Sequence, residues 1–299
     1  QGIRVVSAAP PSSGGTVLLE ALNILENFKL GELNKVDRMH VVIEAMRFAY
    51  RDRADYLGDP DYVEMPIAHL IDKTYARELS AKIDINKATP SANLPPVTTD
   101  PNHHTTHLSV MDSEGNRVAA TLSVNYPFGA ASVPAGTGVL LNNEMDDFAT
   151  SPLTPNAYGL VGGSANAVAA GRRPLSSMTP TFLESAERIG VLGTPGGSRI
   201  ISMVLLGVLE FADGGDPEKM VSAPRYHHQY LPDQVEYEAG GLDAATQAAL
   251  IAKGHKLNES KRRYGNMHAI TWERATGVVK AASDPRGEGK AEVWTPAAK

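Results

Sequence analysis

The chain is 299 residues long, 42% hydrophobic and 21% charged, with a formal net charge of −6. That balance belongs to globular proteins, excludes global disorder and leaves no electrostatic footprint for nucleic acid. The absence of cysteine excludes a disulfide framework, Cys-ligated zinc, iron–sulfur clusters and a thiol nucleophile.

A turn-rich stretch, residues 8–16, leads into an apolar run over residues 17–25 that reads as a buried helix. A second helix is expected with Asp37 as its N-cap and Met39, Val42, Ile43, Met46, Ala49 and Tyr50 on its apolar face. Glu44, Arg47 and Arg51 fall opposite and read as a solvated face. Gly58-Asp59-Pro60 ends this helix, and a shorter one fits residues 74–85. Residues 86–104 hold Pro90, Pro95, Pro96 and Pro101 and almost no apolar periodicity. A long connection of this kind inside a compact chain is functional or open to cleavage, so the main internal boundary is expected here.

Residues 105–125 read as a β-hairpin about the turn Ser113-Glu114-Gly115-Asn116. If the turn pairs Met111 with Arg117, Thr105 falls opposite Ser123; a two-residue slip would move that partner to Thr121 or Asn125, on the same face. The even-numbered residues Leu108, Val110, Val118, Ala120, Leu122 and Val124 are expected to face the core. The polar odd-numbered face, with Thr105, His107, Ser109, Thr121, Ser123 and Asn125, is then a solvent face by default, or a site. Residues 138–142 read as a strand leading to the acidic cluster Glu144, Asp146 and Asp147, and a Pro/Gly-rich loop follows at 151–163. Residues 180–183 and 188–192 read as a hairpin, 200–211 as an apolar helix, 242–253 as an amphipathic helix, and 269–272 with 278–281 as a last hairpin. Without strict βαβ alternation, mostly antiparallel sheet with helical layers is expected rather than a Rossmann fold. No apolar stretch is long enough to span a bilayer and no signal peptide is recognisable. The start at Gln1 leads us to expect a processed or shortened piece of something longer.

Several segments carry candidate chemistry, each with a plainer alternative. Thr194-Pro195-Gly196-Gly197-Ser198 exposes backbone N–H groups at a helix start, which suits an anion, an oxyanion hole or a tight turn; without a following Lys it is not a P-loop. Arg173-Pro174-Leu175-Ser176-Ser177-Met178 sets two adjacent hydroxyls beside two arginines, able to hold a carboxylate or to cap a loop. No G-x-S-x-G elbow exists. His103-His104-Thr105-Thr106-His107 and His227-His228 lack metal-ligand spacing, so neither a metal nor a cofactor is expected. Glu144, Asp146 and Asp147 suit an ammonium group, a cation or a solvated turn.

The order of motifs is more specific than any one of them. Pro10-Pro11-Ser12-Ser13-Gly14-Gly15, Tyr56-Leu57-Gly58-Asp59-Pro60 and Thr105-Thr106-His107 come first. Leu141-Asn142-Asn143-Glu144-Met145-Asp146-Asp147-Phe148, the Arg173–Met178 motif, Pro195-Gly196-Gly197-Ser198-Arg199 and Ser283-Asp284-Pro285-Arg286 follow. Over essentially the whole chain this closely resembles the γ-glutamyltranspeptidase (glutathione hydrolase) family. The resemblance implies an α+β fold, the four-layer αββα sandwich of N-terminal-nucleophile hydrolases with mostly antiparallel sheets. It implies a precursor that cuts itself between His104 and Thr105. Residues 1–104 would then be the C-terminal part of a large subunit and 105–299 the small subunit, both within one αββα domain.

The same resemblance makes Thr105 the nucleophile and its freed α-amino group, with a pKa near 8, the base. Ser123 falls at a family position, usually Thr, whose hydroxyl hydrogen-bonds the nucleophile. Asn125, Glu144 and Asp147 would bind the α-amino and α-carboxylate end of a γ-glutamyl group, Ser176 and Ser177 its carboxylate, and Gly196 and Gly197 the oxyanion. Residues 148–163 match a lid region. One departure stands out: the family's long N-terminal part of the large subunit, with an Arg that pairs with the substrate carboxylate, has no match in residues 1–104. The implied activity is hydrolysis of glutathione and transfer of γ-glutamyl groups to water, amino acids or peptides. A large/small heterodimer in a periplasmic or extracellular setting is implied with it. The alternatives are a cephalosporin (glutaryl) acylase-like amidase of the same superfamily, and an inactive uncleaved or truncated precursor.

Overall fold

The computed structural model describes residues 2–91, 105–150, 154–156 and 159–294. Strand β1 (Arg4–Ser7) leads through a turn into α1 (Gly14–Leu25), which is buried on nearly all sides. Helix α2 spans Lys35–Tyr56. Its N-cap is Asn34, whose side chain accepts the Asp37 N–H at 2.9 Å, so Asp37 lies inside the first turn instead of capping it. Short helices α3 (Ile67–Leu70) and α4 (Lys73–Ser80) follow, α4 ending five residues before the expected 85.

The hairpin β2 (Thr105–Met111) and β3 (Arg117–Ser123) has the expected register: Met111 pairs with Arg117 and Thr105 with Ser123. Residues 138–142 form no strand; they are exposed and lie in a loop. Strands β4 (Thr181–Glu184) and β5 (Arg188–Gly193) precede α5 (Ile200–Ala212) and α6 (Pro217–Ser222). The chain continues through β6 (Tyr226–His227), β7 (Val235–Tyr237), α7 (Ala244–Ala252) and β8 (Leu257–Glu259) to β9 (His268–Glu273) and β10 (Val279–Ser283).

An antiparallel sheet of order β1-β4-β5-β9-β10 is the centre. Two glycines of β5 show what covers its two faces. A Cβ at Gly190 would lie 3.0 Å from the Phe211 ring of α5, and one at Gly193 would lie 2.2 Å from the His107 ring of β2. Residues three apart on a strand point to opposite sides, so helices α1 and α5 pack on one face, with α2 against α1, and the β2–β3 hairpin packs on the other. The main core joins residues from both sides of the 92–104 segment, among them Leu18, Ile43, Met46, Leu192 and Ile200. β6, β7 and β8 form a separate small sheet.

Two expectations about faces reverse. The odd-numbered hairpin face packs inward: His107 is 3% exposed, whereas Leu108, Val110, Val118 and Leu122 are 44–54% exposed. The polar residues can be buried because they satisfy one another. His107 bonds Thr121 Oγ1 at 2.8 Å through Nδ1 and Ser109 Oγ at 3.0 Å through Nε2. Among the described residues three layers of the αββα sandwich are present, and no helix covers the hairpin's outer face.

The second reversal concerns α2. Glu44 and Arg47 are buried, not solvated. Arg47 donates to Glu44 Oε1 at 3.1 Å and to Ser91 Oγ at 2.6 Å, and pairs with Asp233. Glu44 Oε2 also accepts the Thr89 N–H at 3.0 Å, and Asp233 the Ser91 N–H at 3.1 Å. Arg51 alone of the three stays part-exposed, paired with Asp52. The network pins residues 89–91 to α2 immediately before the Pro-rich connection. Among the described residues no helix is long and apolar enough to cross a membrane.

Candidate active site

The hairpin's open end starts the site. Thr105 Oγ1 and Ser123 Oγ lie 3.1 Å apart, and Ser123 Oγ accepts the Asn125 N–H at 2.8 Å. Ser123 therefore has its hydrogen free to donate to Thr105. Asn125 turns the chain with φ 70°, a left-handed conformation that asparagine tolerates. Its Nδ2 donates to Asn143 O at 3.1 Å, and the Tyr126 N–H donates to Asn143 Oδ1 at 3.0 Å. These bonds bring the following 3-10 turn, Glu144–Asp147, to the end of β3. Asp147 carries a pKa raised well above the carboxylate range, by burial first and by neighbouring Glu144 second. Two acids this close resist full ionisation until a cation joins them.

Motifs from the first part of the chain build the opposite wall. Ser12 bridges Ser176 in parallel register: the Ser13 N–H donates to Ser176 O at 2.8 Å, and the Ser176 N–H to Pro11 O at 3.0 Å. Ser12 Oγ adds a bond to Met178 O at 2.7 Å. A Cβ at Gly14 would sit 2.4 Å from Thr179 Oγ1, which is why this approach needs glycine. Arg173 clasps Asp59, with Nη2 at 2.6 Å from Oδ1 and the backbone N–H at 2.7 Å from Oδ2, and holds that carboxyl far below its usual range. The Tyr56–Pro60 motif thus anchors the Arg173–Met178 motif.

The floor is the turn before α5. Gly196 has φ 151° and a Cβ there would lie 2.3 Å from Met203 Cε; Gly197 has φ 56°. Both conformations favour glycine, and the turn leads through a short 3-10 segment into the start of α5.

One pocket, about 350 Å³ with its open mouth, gathers Thr105, Ser123, Asn125, Glu144, Asp147, Ser176, Ser177 and Gly197, with Leu160 and Ile200 as apolar wall. Of the expected residues, Gly196 lies behind Gly197 and off the wall, and His104 falls outside the described residues. Leu160 belongs to the expected lid region, of which residues 151–153 and 157–158 also lie outside them. Arg53, which sequence reading passed over, is 4% exposed and donates to Ser13 Oγ and Ser177 Oγ. The signal was available: it lies three residues after buried Tyr50, on the same helical face.

His227 bonds Ser202 and Gln229, and His228 bonds Asp233 and the Tyr230 N–H. His40, Glu44 and His255 come close enough to suit a metal. However, His40 Nδ1 meets His255 Nε2 directly at 2.7 Å, and both Glu44 oxygens already accept bonds.

Antiparallel sheets under a helical layer, with a threonine hydroxyl at the start of a strand inside the pocket, have the architecture of an N-terminal-nucleophile hydrolase. The sequence profile of the gamma-glutamyltranspeptidase family matches residues 1–294. The chain belongs to that family. It is 45% identical to the glutathione hydrolase proenzyme of Escherichia coli K12 over 292 residues, covering 96% of this chain and 50% of that one. A Helicobacter pylori gamma-glutamyltranspeptidase mutant matches at 42% identity and TM-score 0.58, over 61% of this chain and 100% of its own. A cephalosporin acylase from Bacillus halodurans matches at 27% identity and TM-score 0.82, over 99% of this chain and 52% of its own. The chain spans about half the length of the curated relatives it matches.

Proposed function

We propose that this chain carries the catalytic part of a γ-glutamyltransferase and glutathione hydrolase. The observation that supports it best is a threonine hydroxyl, 3.1 Å from a serine hydroxyl, sharing one pocket with a paired-acid end and a paired-serine end. An α-amino acid head group presents an ammonium and a carboxylate on one carbon; the acids suit the first by charge and the serine hydroxyls the second as hydrogen-bond donors.

In the proposed reaction the precursor first cuts itself between His104 and Thr105, freeing the Thr105 amine. That amine takes the hydroxyl proton as Oγ1 bonds to the γ-carbonyl carbon. The oxyanion of the tetrahedral intermediate accepts N–H bonds from the Gly196–Gly197 turn. Removing one such donor typically costs about 2.7–4 kcal/mol. Collapse breaks the C–N bond, the amine leaves with the proton, and water or an acceptor amine resolves the acyl-enzyme. Asn125, Glu144 and Asp147 hold the α-amino end, Ser176 and Ser177 the carboxylate. No cofactor enters the scheme. The partners are glutathione or other γ-glutamyl compounds, amino-acid or peptide acceptors, and the large-subunit region, in a heterodimer acting in the periplasm or outside the cell.

The likeness to a cephalosporin acylase favours a second reading, a glutaryl amidase. A glutaryl group has no ammonium, and would leave Asp147 and Glu144 facing no cation. Two measurements test the reading. Mass spectrometry of the purified protein is expected to show a fragment beginning at Thr105. Turnover of γ-glutamyl anilide is expected to exceed that of glutaryl anilide; the reverse order, or full activity with the bond intact, refutes it.

A further inference from the structure

Besides Arg286, whose side chain is held between Glu238 and Asp284, four arginines among the described residues are nearly completely buried: Arg47, Arg53, Arg199 and Arg225. Three of them close on carboxylates. Arg47 meets Glu44 and Asp233, Arg199 meets Glu236, and Arg225 meets Asp284. Arg53 is the exception. Its hydrogen-bond partners are hydroxyls: Nε donates to Ser13 Oγ at 2.9 Å and Nη2 to Ser177 Oγ at 3.2 Å. Among the described residues no carboxylate lies within ion-pair distance of it. A guanidinium stays charged, and burying it without a counter-charge is strongly unfavourable. The unmatched charge lies directly behind a pocket wall.

The direction of the hydrogen bonds gives that charge a use. Ser177 Oγ accepts from Arg53, so its own hydrogen remains to be donated. Ser176 Oγ likewise accepts the Met178 N–H at 3.1 Å, leaving its hydrogen free. Two hydroxyls with their lone pairs engaged by N–H donors form a donor pair, and a carboxylate is the ligand that accepts both. Ser13 completes the mount by donating to Ser176 O at 2.7 Å while it accepts from Arg53. Asp147, in the same pocket, attracts Arg53 at longer range but does not close on it.

We propose that Arg53 is a positioning residue for the substrate carboxylate: it fixes the Ser177 hydroxyl as a donor and supplies positive charge from behind it. This rests on the γ-glutamyl reading of the pocket. Arg53 does not touch substrate and acts through Ser177.

The test uses the full-length, self-cleaved protein and two competitive inhibitors of γ-glutamyl anilide turnover. One is L-glutamate. The other is its α-amide, which keeps the ammonium and lacks the α-carboxylate charge. Arg53→Gln is expected to raise the inhibition constant of glutamate at least about tenfold and that of the α-amide less than about twofold, with kcat little changed. Combining it with Ser177→Ala is expected to cost less than the sum of the two, because the residues act in series. Equal shifts for both inhibitors would mark a merely structural pin and overturn the proposal, as would no shift at all. Arg53→Lys keeps the charge but cannot bridge Ser13 and Ser177 with a planar fork. It is expected to show a smaller selective loss. If Arg53→Gln does not cleave itself, an unselective or silent Arg53→Lys overturns the proposal instead. A parent protein that neither turns over γ-glutamyl anilide nor binds glutamate overturns the functional reading, and this inference with it. A parent that does both, beside an unselective Arg53→Gln, overturns this inference alone.

Discussion

Ser123 offers the sharpest test of the nucleophile. Its hydroxyl accepts the Asn125 N–H at 2.8 Å and so presents its own hydrogen to Thr105 Oγ1, 3.1 Å away. That bond strengthens as Thr105 Oγ1 loses its proton, because hydrogen bonds to charged oxygen contribute about 1.5–3 kcal/mol against about 1 for neutral pairs. Ser123→Ala removes it at the moment charge develops. The neutral bond is lost from the ground state as well, which leaves a difference of about 0.5–2 kcal/mol, so at tenfold in rate for each 1.36 kcal/mol the acylation step is expected to slow by roughly 2- to 30-fold. Ser123→Thr keeps the hydroxyl and adds only a methyl, so it is expected to stay within about threefold of the parent. Single-turnover release of anilide from γ-glutamyl anilide isolates acylation from resolution of the acyl-enzyme. Mass spectrometry must first establish that each variant carries a free Thr105, so that failure to self-cleave is not read as slow chemistry. A fully cleaved Ser123→Ala protein that acylates as fast as the parent would refute the role argued for this contact.

Four further outcomes follow from the geometry. Gly196→Ala places a Cβ against Met203 at a φ of 151°, and is expected to lower stability by about 1–3 kcal/mol in denaturant melts and to depress kcat more than it raises KM. Asp147→Asn is expected to raise KM for γ-glutamyl anilide. It should also remove one of the two steps by which kcat/KM climbs with pH, since an acid raised by burial and by Glu144 must ionise before it can hold an ammonium, and leave the step set by the Thr105 amine. Arg47→Ala leaves the fully buried Glu44 carboxylate unpaired and is expected to cost about 3–5 kcal/mol, read as a lowered denaturant midpoint. Burial holds His107 and His227 down to about 3 and His228 to about 4, so below the ordinary value near 6.5 the unfolded chain takes up protons the folded one refuses. Stability is therefore expected to fall as pH drops from about 6.5 to 5, before most carboxylates titrate, and a flat melting temperature across that window would contradict it.

The site was more legible in the sequence than the faces of the elements that carry it. Pairing Met111 with Arg117 sets Thr105 opposite Ser123 and a two-residue slip would keep its partner on the same face; the structure has the unslipped register. Which face of that hairpin is buried does not follow from apolarity. Leu108, Val110, Val118 and Leu122 stay about half exposed, while His107 is buried with its ring nitrogens bonded to the part-buried Ser109 and Thr121. A periodicity argument counts apolar residues and is blind to polar groups satisfied by their neighbours. The same blindness put Glu44 and Arg47 in solvent, where a charged stripe opposite an apolar one normally lies. Their partners, Thr89, Ser91 and Asp233, come from distant positions or an irregular segment, and nothing local announces them. Arg53 was missed for a related reason: a lone arginine near a helix end is ordinary, and only its burial without a carboxylate makes it informative.

The motifs before residue 92 also acquire a reason. In the pocket as it stands, none of Pro10–Gly15 or Tyr56–Pro60 lines the wall. They hold it from outside, through Ser12 and Ser13 on Ser176 and Asp59 on Arg173. A cut between His104 and Thr105 would sever the chain but none of these bonds, nor the core that joins α1 and α2 to β5 and α5. Connectivity contributes only a slowly varying loop-closure entropy, whereas the shared core holds the large, fully buried side chains. The architecture therefore allows the strand end at Thr105 to gain a free amine while the serine wall, the acidic turn and the glycine turn stay in place. A nucleophile that must be released by cleavage needs a site whose walls are tied together by contacts other than the bond that is cut.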